Sequence, residues 1–143
     1  MSKVILQPTD VISKTVIDAC AAAGACDEGL IWAKKGRTYA ELTSAGFADW
    51  MASNCPVVEV LELLSKDIDT VVRRFVAENV NTSVKVLEML SKDIDAVVRG
   101  YVAANVKTPA AVLELLSKDI DAVVRWLVAA NVNTSASAKL EGE

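Results

Sequence analysis

The chain has 143 residues, 52% of them apolar, a net charge of −4 and no histidine. One domain with a sizeable core is within its means, while the acidic balance and the lack of a basic cluster argue against a nucleic-acid binder. Without histidine, Ser/His and Cys/His catalytic pairs are excluded, and no apolar run approaches the ~18 residues of a membrane span, so the reading is a soluble, unexported, cytoplasmic chain.

In chain order, residues 9–23 place Val11, Ile12, Val16, Ile17 and Cys20 at helical spacing before Gly24 and predict a first helix. The segment from Cys26 to Lys35, with Leu30, Ile31 and Ala33 around Trp32 and a stop at Gly36, predicts a second. Thr38 and Glu41 form a T-x-x-E capping box for a third, and a fourth carries Phe47, Trp50 and Met51. Residues 1–50 therefore read as an N-terminal helical cap, with Cys26, Gly29, Trp32 and Trp50 as its aromatic core. Cys20, Cys26 and Cys55 are odd in number and show no C-x-x-C spacing, which fits small packing residues better than a disulfide framework or a metal site.

From there the chain repeats itself. The pentapeptide SKDID recurs at Ser65, Ser91 and Ser117, a constant step of 26 residues, and defines units 57–82, 83–108 and 109–134. Met51 to Pro56 echoes the end of a unit, so the array is taken to span 51–134, followed by a polar tail over 135–143. Within a unit Val57, Val60, Leu61 and Leu64 predict a short helix A, and in the third unit Thr108 reads as its N-cap with Pro109 as the first helical residue. Ile68, Val71, Val72, Phe75 and Val76 predict helix B, with Asp67 as N-cap and Asn79 as a left-handed terminator. Asp93 and Asp119, and Asn105 and Asn131, hold these positions in the later units. The eight or so buried aliphatic side chains of one unit, at roughly 1.5–3 kcal/mol each, cannot offset the ordering of 26 residues at about 1–2 kcal/mol apiece, so units must stack and their ends need caps. The predicted fold is all-α, a short right-handed α-solenoid of three two-helix repeats behind a helical capping bundle.

The pattern L-x-x-L-x-x-D-x-D-x-V-V-R-x-x-V-A-x-N-V-x-T resembles the variant leucine-rich repeat and, more distantly, the HEAT repeat. That resemblance implies structural hydrogen bonds or ion pairs between stacked units for Asp67, Asp93 and Asp119 and for Arg73, Arg99 and Arg125. Local geometry offers a rival, because Asp69 and Arg73, with their equivalents, are i, i+4 partners. Some variant-repeat proteins carry a four-cysteine iron–sulfur module, from which this chain departs in number and spacing. The stretch CDEGLIWAKKGRTYAELTSAGFADWM is similar to a motif of immunity-protein-like domains in small phage or bacterial proteins, which implies an inhibitor that occludes its target.

The carboxylate pair Asp67/Asp69 recurs in every unit, whereas an active site occurs once, so these groups read as scaffold and the chain as a non-enzyme without cofactor or metal. Positions that differ between units are not set by stacking. They are Arg74, Gly100 and Trp126 in one column, Glu78, Ala104 and Ala130 in another, and Asn81, Lys107 and Asn133 in the loop. Arg74, Tyr101, Trp126, Glu78 and Lys107 are therefore the candidate partner-binding residues, with Trp126 as anchor or, alternatively, as cover for the open end of the last unit. The expected partner is another protein rather than a membrane, a nucleic acid or a small-molecule substrate. A HEAT-like nucleic-acid-directed protein and a cysteine-dependent redox or metal module are the competing classes.

Overall fold

Each repeat unit folds as a short helix, a tight turn and a longer helix. In a computed structural model that describes residues 5–134, the shorter helices are α5 (Val58–Leu64), α7 (Val84–Leu90) and α9 (Ala110–Leu116). Their partners are α6 (Thr70–Glu78), α8 (Ala96–Ala104) and α10 (Ala122–Ala130). Four helices precede them: α1 (Lys14–Ala22), α2 (Asp27–Ala33), α3 (Glu41–Ala45) and α4 (Ala48–Asn54). The fold is all-helical among the described residues, apart from an isolated antiparallel bridge between Val11 and Thr38. None of these helices is long and apolar enough to cross a membrane. The predicted tail over 135–143 lies outside the described residues.

Helix A in the first unit buries Val60, Leu61 and Leu64, the i+3, i+4 and i+7 positions of the apolar stripe that starts at Val57. It is closed by Ser65, whose buried hydroxyl donates to the Glu62 carbonyl at 2.6 Å. Helix B starts later than the apolar spacing predicts, and Asp67 is not its N-cap. That role belongs to Asp69, whose carboxylate accepts from the Val71 N–H at 2.9 Å, and Asp95 and Asp121 do the same for α8 and α10. Asp67 instead accepts from the Asp69 N–H at 2.8 Å, shaping the turn before the helix. The two-residue shift removes Ile68, Ile94 and Ile120 from the helices and leaves them 95%, 94% and 92% exposed. Two other caps also differ from expectation. Pro109 occupies the N-cap position of α9, and buried Thr108 donates its hydroxyl to the Val102 carbonyl at 2.6 Å. Asn79, Asn105 and Asn131 end their helices in extended rather than left-handed conformation.

Those asparagines act between units. Asn105 is buried and donates its amide to the carbonyls of Ala77 (2.7 Å) and Asn79 (3.2 Å), while its Oδ1 accepts from the Lys107 N–H at 2.8 Å. Asn131 reaches back in the same way to Ala103 and Asn105, and Asn79 reaches Ala52 and Cys55. A second link is ionic: Arg73 Nε and Nη2 grip both oxygens of Asp93 at 2.8 and 3.2 Å, and Arg99 grips Asp119 at 2.8 and 3.0 Å. Such a bidentate, charge-assisted pair fixes orientation as well as adding energy. Arg73 Nη1 meanwhile donates to the Asp67 and Ile68 carbonyls of its own unit, so one guanidinium ties two turns together. Arg73 thus spans to the next unit instead of pairing with Asp69 one helical turn back.

Stacking follows from these links. α4 packs on α6, α6 on α8 and α8 on α10, while each helix A sits against the helix B before and after it. The layers between are aliphatic: Val72, Val76, Val98, Val102 and Val128 are fully buried. In the N-terminal part, α1 begins at Lys14 behind Ser13, which accepts from the Val16 N–H, so the first predicted helix is shorter at its start. Residues 11 and 12 are held against the Arg37–Thr38 segment instead, with the Ile12 N–H donating to the Arg37 carbonyl at 2.8 Å. Only half of the expected capping box forms. Glu41 accepts from the Thr38 N–H at 3.4 Å, but α3 is capped by Ala40 without a side-chain bond.

Candidate functional site

Away from its fully buried valines, each helix B carries a second row of i, i+3, i+4, i+7 positions. In the first unit these are Val71, Arg74, Phe75 and Glu78; in the second Val97, Gly100, Tyr101 and Ala104; in the third Val123, Trp126, Leu127 and Ala130. Charge at these positions is thus confined to α6, while those of α8 and α10 are uncharged, with Asp121 bordering them at the start of α10. Glu78 and Lys107 lie exposed at the ends of α6 and α8.

The first column of variable residues does not present two equivalent anchors. Arg74 is half-buried, and its guanidinium carbon lies 4.8 Å from the Phe75 ring centroid and 5.6 Å from that of Tyr101 in the next unit. This stacking brings the candidates Arg74 and Tyr101 together across a repeat boundary and covers apolar surface with a cation. At the next position Gly100 is buried, and a Cβ there would come within 3.2 Å of Leu127 Cδ1. Leu127 takes the space a side chain there would need, and a depression of about 410 Å³ lies between α8 and α10, bordered by Val97, Tyr101, Ala104, Asp121 and Val123. Trp126 stands beside it on α10, 64% exposed.

Two features were not signalled by the column analysis. The first is the row of exposed isoleucines, Ile68, Ile94 and Ile120. The second Asp of the D-I-D triplet was the available signal, since only one of the two can cap. The second feature is Arg125. Like its equivalents it donates Nη1 to the Asp119 and Ile120 carbonyls, at 2.6 and 3.0 Å. Among the described residues, however, there is no following unit whose aspartate fills its remaining fork. At the opposite end Asp67 lacks a preceding arginine and accepts instead from the Thr43 hydroxyl of α3 at 3.0 Å.

Electrostatics separate the filled positions from the cap. Burial works against ionisation of Asp93, but hydrogen bonds from Arg73 and the Asp95 N–H, with the charges of Arg73 and Arg99, hold it below the usual carboxylate range. Asp119 is lowered in the same way, with Arg99, the Asp121 N–H and Arg125 opposing burial. In the cap, burial foremost, with the neighbouring Cys55 and Cys20 thiols and Asp10, pushes Tyr39 up to about 12. The hydrogen bond with Cys55, and then burial, raises Cys20 so that it stays a thiol at neutral pH. Cys26 is exposed at the start of α2, not part of an aromatic core, whereas Trp32 and Phe47 do pack, with ring centroids 5.0 Å apart.

Comparison of the chain with protein-family models, curated proteins and solved structures finds no match.

Proposed function

We propose that the chain is a short right-handed α-solenoid acting as a non-enzymatic protein-binding module, with the apolar face of α8 and α10 as its contact surface. The observation that carries this reading is Trp126. Its indole is largely exposed beside the uncharged row of Val97, Tyr101 and Ala104 on α8 and Val123, Leu127 and Ala130 on α10, which Asp121 borders at one end. Tryptophan and arginine are enriched among the few residues that dominate interface energies. Arg125 adds a chemical preference, because its planar guanidinium is already fixed by two carbonyls and, among the described residues, meets no aspartate of the kind that Arg73 and Arg99 grip, which suits it to a partner carboxylate. Arg74, held over Tyr101, forms the polar border of the same face, and Glu78 and Lys107 set its charge margin. An inhibitory role by occlusion rests on the N-terminal resemblance to immunity-protein-like domains.

The test is affinity capture with wild type, Trp126→Ala and Leu127→Asp as parallel baits, after circular dichroism shows equal folding. A protein retained by wild type should bind Trp126→Ala with a cost of about 2 kcal/mol, or roughly 30-fold in Kd. Retention of the same protein at wild-type affinity by both variants would overturn this face as the site.

A further inference from the structure

We propose that the N-terminal cap contains a binding pocket for a small, uncharged aromatic molecule. Helices α1 to α4 enclose a pocket of about 280 Å³. Its floor is closed by buried Ile12, Ile17, Leu42 and Met51, and its rim is made by half-buried Trp32, Phe47 and Trp50. The chain has only 3 Trp, 2 Tyr and 2 Phe, so concentrating three of these rings around one opening is a marked local departure from its aliphatic character. Among the described residues, no charged side chain lines the pocket.

The space exists for an identifiable reason. Gly29 faces it from α2, where a Cβ would meet Phe47 at 3.4 Å and Cys26 Sγ at 3.6 Å, ordinary contact distances. Nothing steric therefore requires glycine in this helix, where alanine would cost less conformational entropy. Its absent side chain keeps the α2 wall open. The rim is also prevented from closing over the floor: Trp32 is braced by the tilted Phe47 ring at 5.0 Å and by the Arg37 guanidinium carbon at 5.9 Å.

Size and lining select the occupant. An apolar cavity of about 150 Å³ stays dry and takes up benzene, so this one has room for one or two fused rings. A neutral ligand is required because the walls offer no counter-charge, and an aromatic one suits the edges and faces of three rings. A polypeptide partner is a poorer fit, because the floor is closed and the volume is that of one small molecule rather than of a segment with its backbone. Trp126 and the α8–α10 face are not involved, so this site stands or fails apart from the protein-binding reading.

The experiment is a toluene titration of the full chain followed by the isoleucine methyl signals in carbon-13 NMR. Ile12 and Ile17 should shift saturably, with a Kd of roughly 1 mM or tighter, while Ile68, Ile94 and Ile120 in the repeats stay fixed and benzoate shifts none of them. Gly29→Leu should abolish the shifts by filling the space. A second readout that does not depend on that variant's folding is alkylation of exposed Cys26 by iodoacetamide in wild type, which saturating toluene should slow severalfold. Equal shifts at the repeat isoleucines, no shift at Ile12 and Ile17 with an unchanged Cys26 rate, or full binding by a folded Gly29→Leu would each overturn the proposal. Tighter binding of N-acetyl-phenylalanine amide than of toluene would overturn it in favour of a partner's side chain.

Discussion

The repeats and the N-terminal helices α1 to α4 bury short helices by opposite means. In the repeats, aliphatic layers are thin and every boundary is pinned by polar groups at fixed places: an arginine on an aspartate and an asparagine amide on two carbonyls. In the cap, aromatic rings do the covering, polar pins between helices are few, and a pocket remains. The difference teaches that a unit too small for its own core can still be held rigidly if its neighbours satisfy its turns, whereas a non-repeating bundle must fit side chains of unlike shape.

The largest effect expected from breaking this arrangement is removal of residues 1–56. That deletion takes away α4, which covers α6, and the Ala52 and Cys55 carbonyls that accept from Asn79. Aggregation or loss of helicity by circular dichroism should follow; a truncated chain that stayed monomeric and fully helical would show that the repeats need no cap.

Next is the ionic pin. Asp93→Ala strands Arg73 and removes the acceptor of the Asp95 N–H, so denaturant unfolding should show a loss of about 2–4 kcal/mol. An unchanged midpoint would mean that the aspartate is not structural.

pH should separate the two regions. Because the folded pKa values of Asp93 and Asp119 lie below the unfolded value of about 3.9, their stabilisation is complete above that value and is lost as pH falls below it. Tyr39 has the opposite dependence: its raised folded pKa means that stability declines as pH rises from about 10 toward about 12. Amide exchange should therefore show the repeats loosening first in acid and the cap first in base, and Asp93→Asn should flatten the acid limb alone.

The equivalent substitution at the first boundary, Asp67→Ala, removes the acceptor of a neutral hydroxyl and of a turn N–H rather than the partner of an arginine fork, and should cost about 1–2 kcal/mol. Trp126→Ala, on exposed surface, should change the midpoint by no more than about 0.5 kcal/mol. A large destabilisation there would mark the indole as an end cover rather than a contact residue.

Much of the helical content was legible because apolar residues recur at helical spacing. The D-I-D turn is ambiguous in sequence because Ile68 continues the apolar pattern of helix B, while Asp67 and Asp69 are equally good caps by type. The choice is made by Arg73 and Arg99, which claim Asp93 and Asp119 from the preceding unit. Asn79 is ambiguous for a similar reason, since an asparagine at a helix end also suits a left-handed turn, and only the carbonyls of the preceding unit give its amide another task. For the candidate site, Trp126 was legible as a large residue that no packing rule required. Arg74 was not its equal, because the ring it lies over, Tyr101, arrives from the next unit.

The sequence by itself determined the helical class, the 26-residue period and the residues free to differ between units, because these are properties of local spacing and of comparison along the chain. Tertiary structure alone decided which aspartate caps and which one pairs, that three isoleucines face solvent, and that a pocket forms among α1 to α4. Each of these depends on groups brought together from different helices, and a hydrogen bond or a cavity is fixed by where both of its sides are in space.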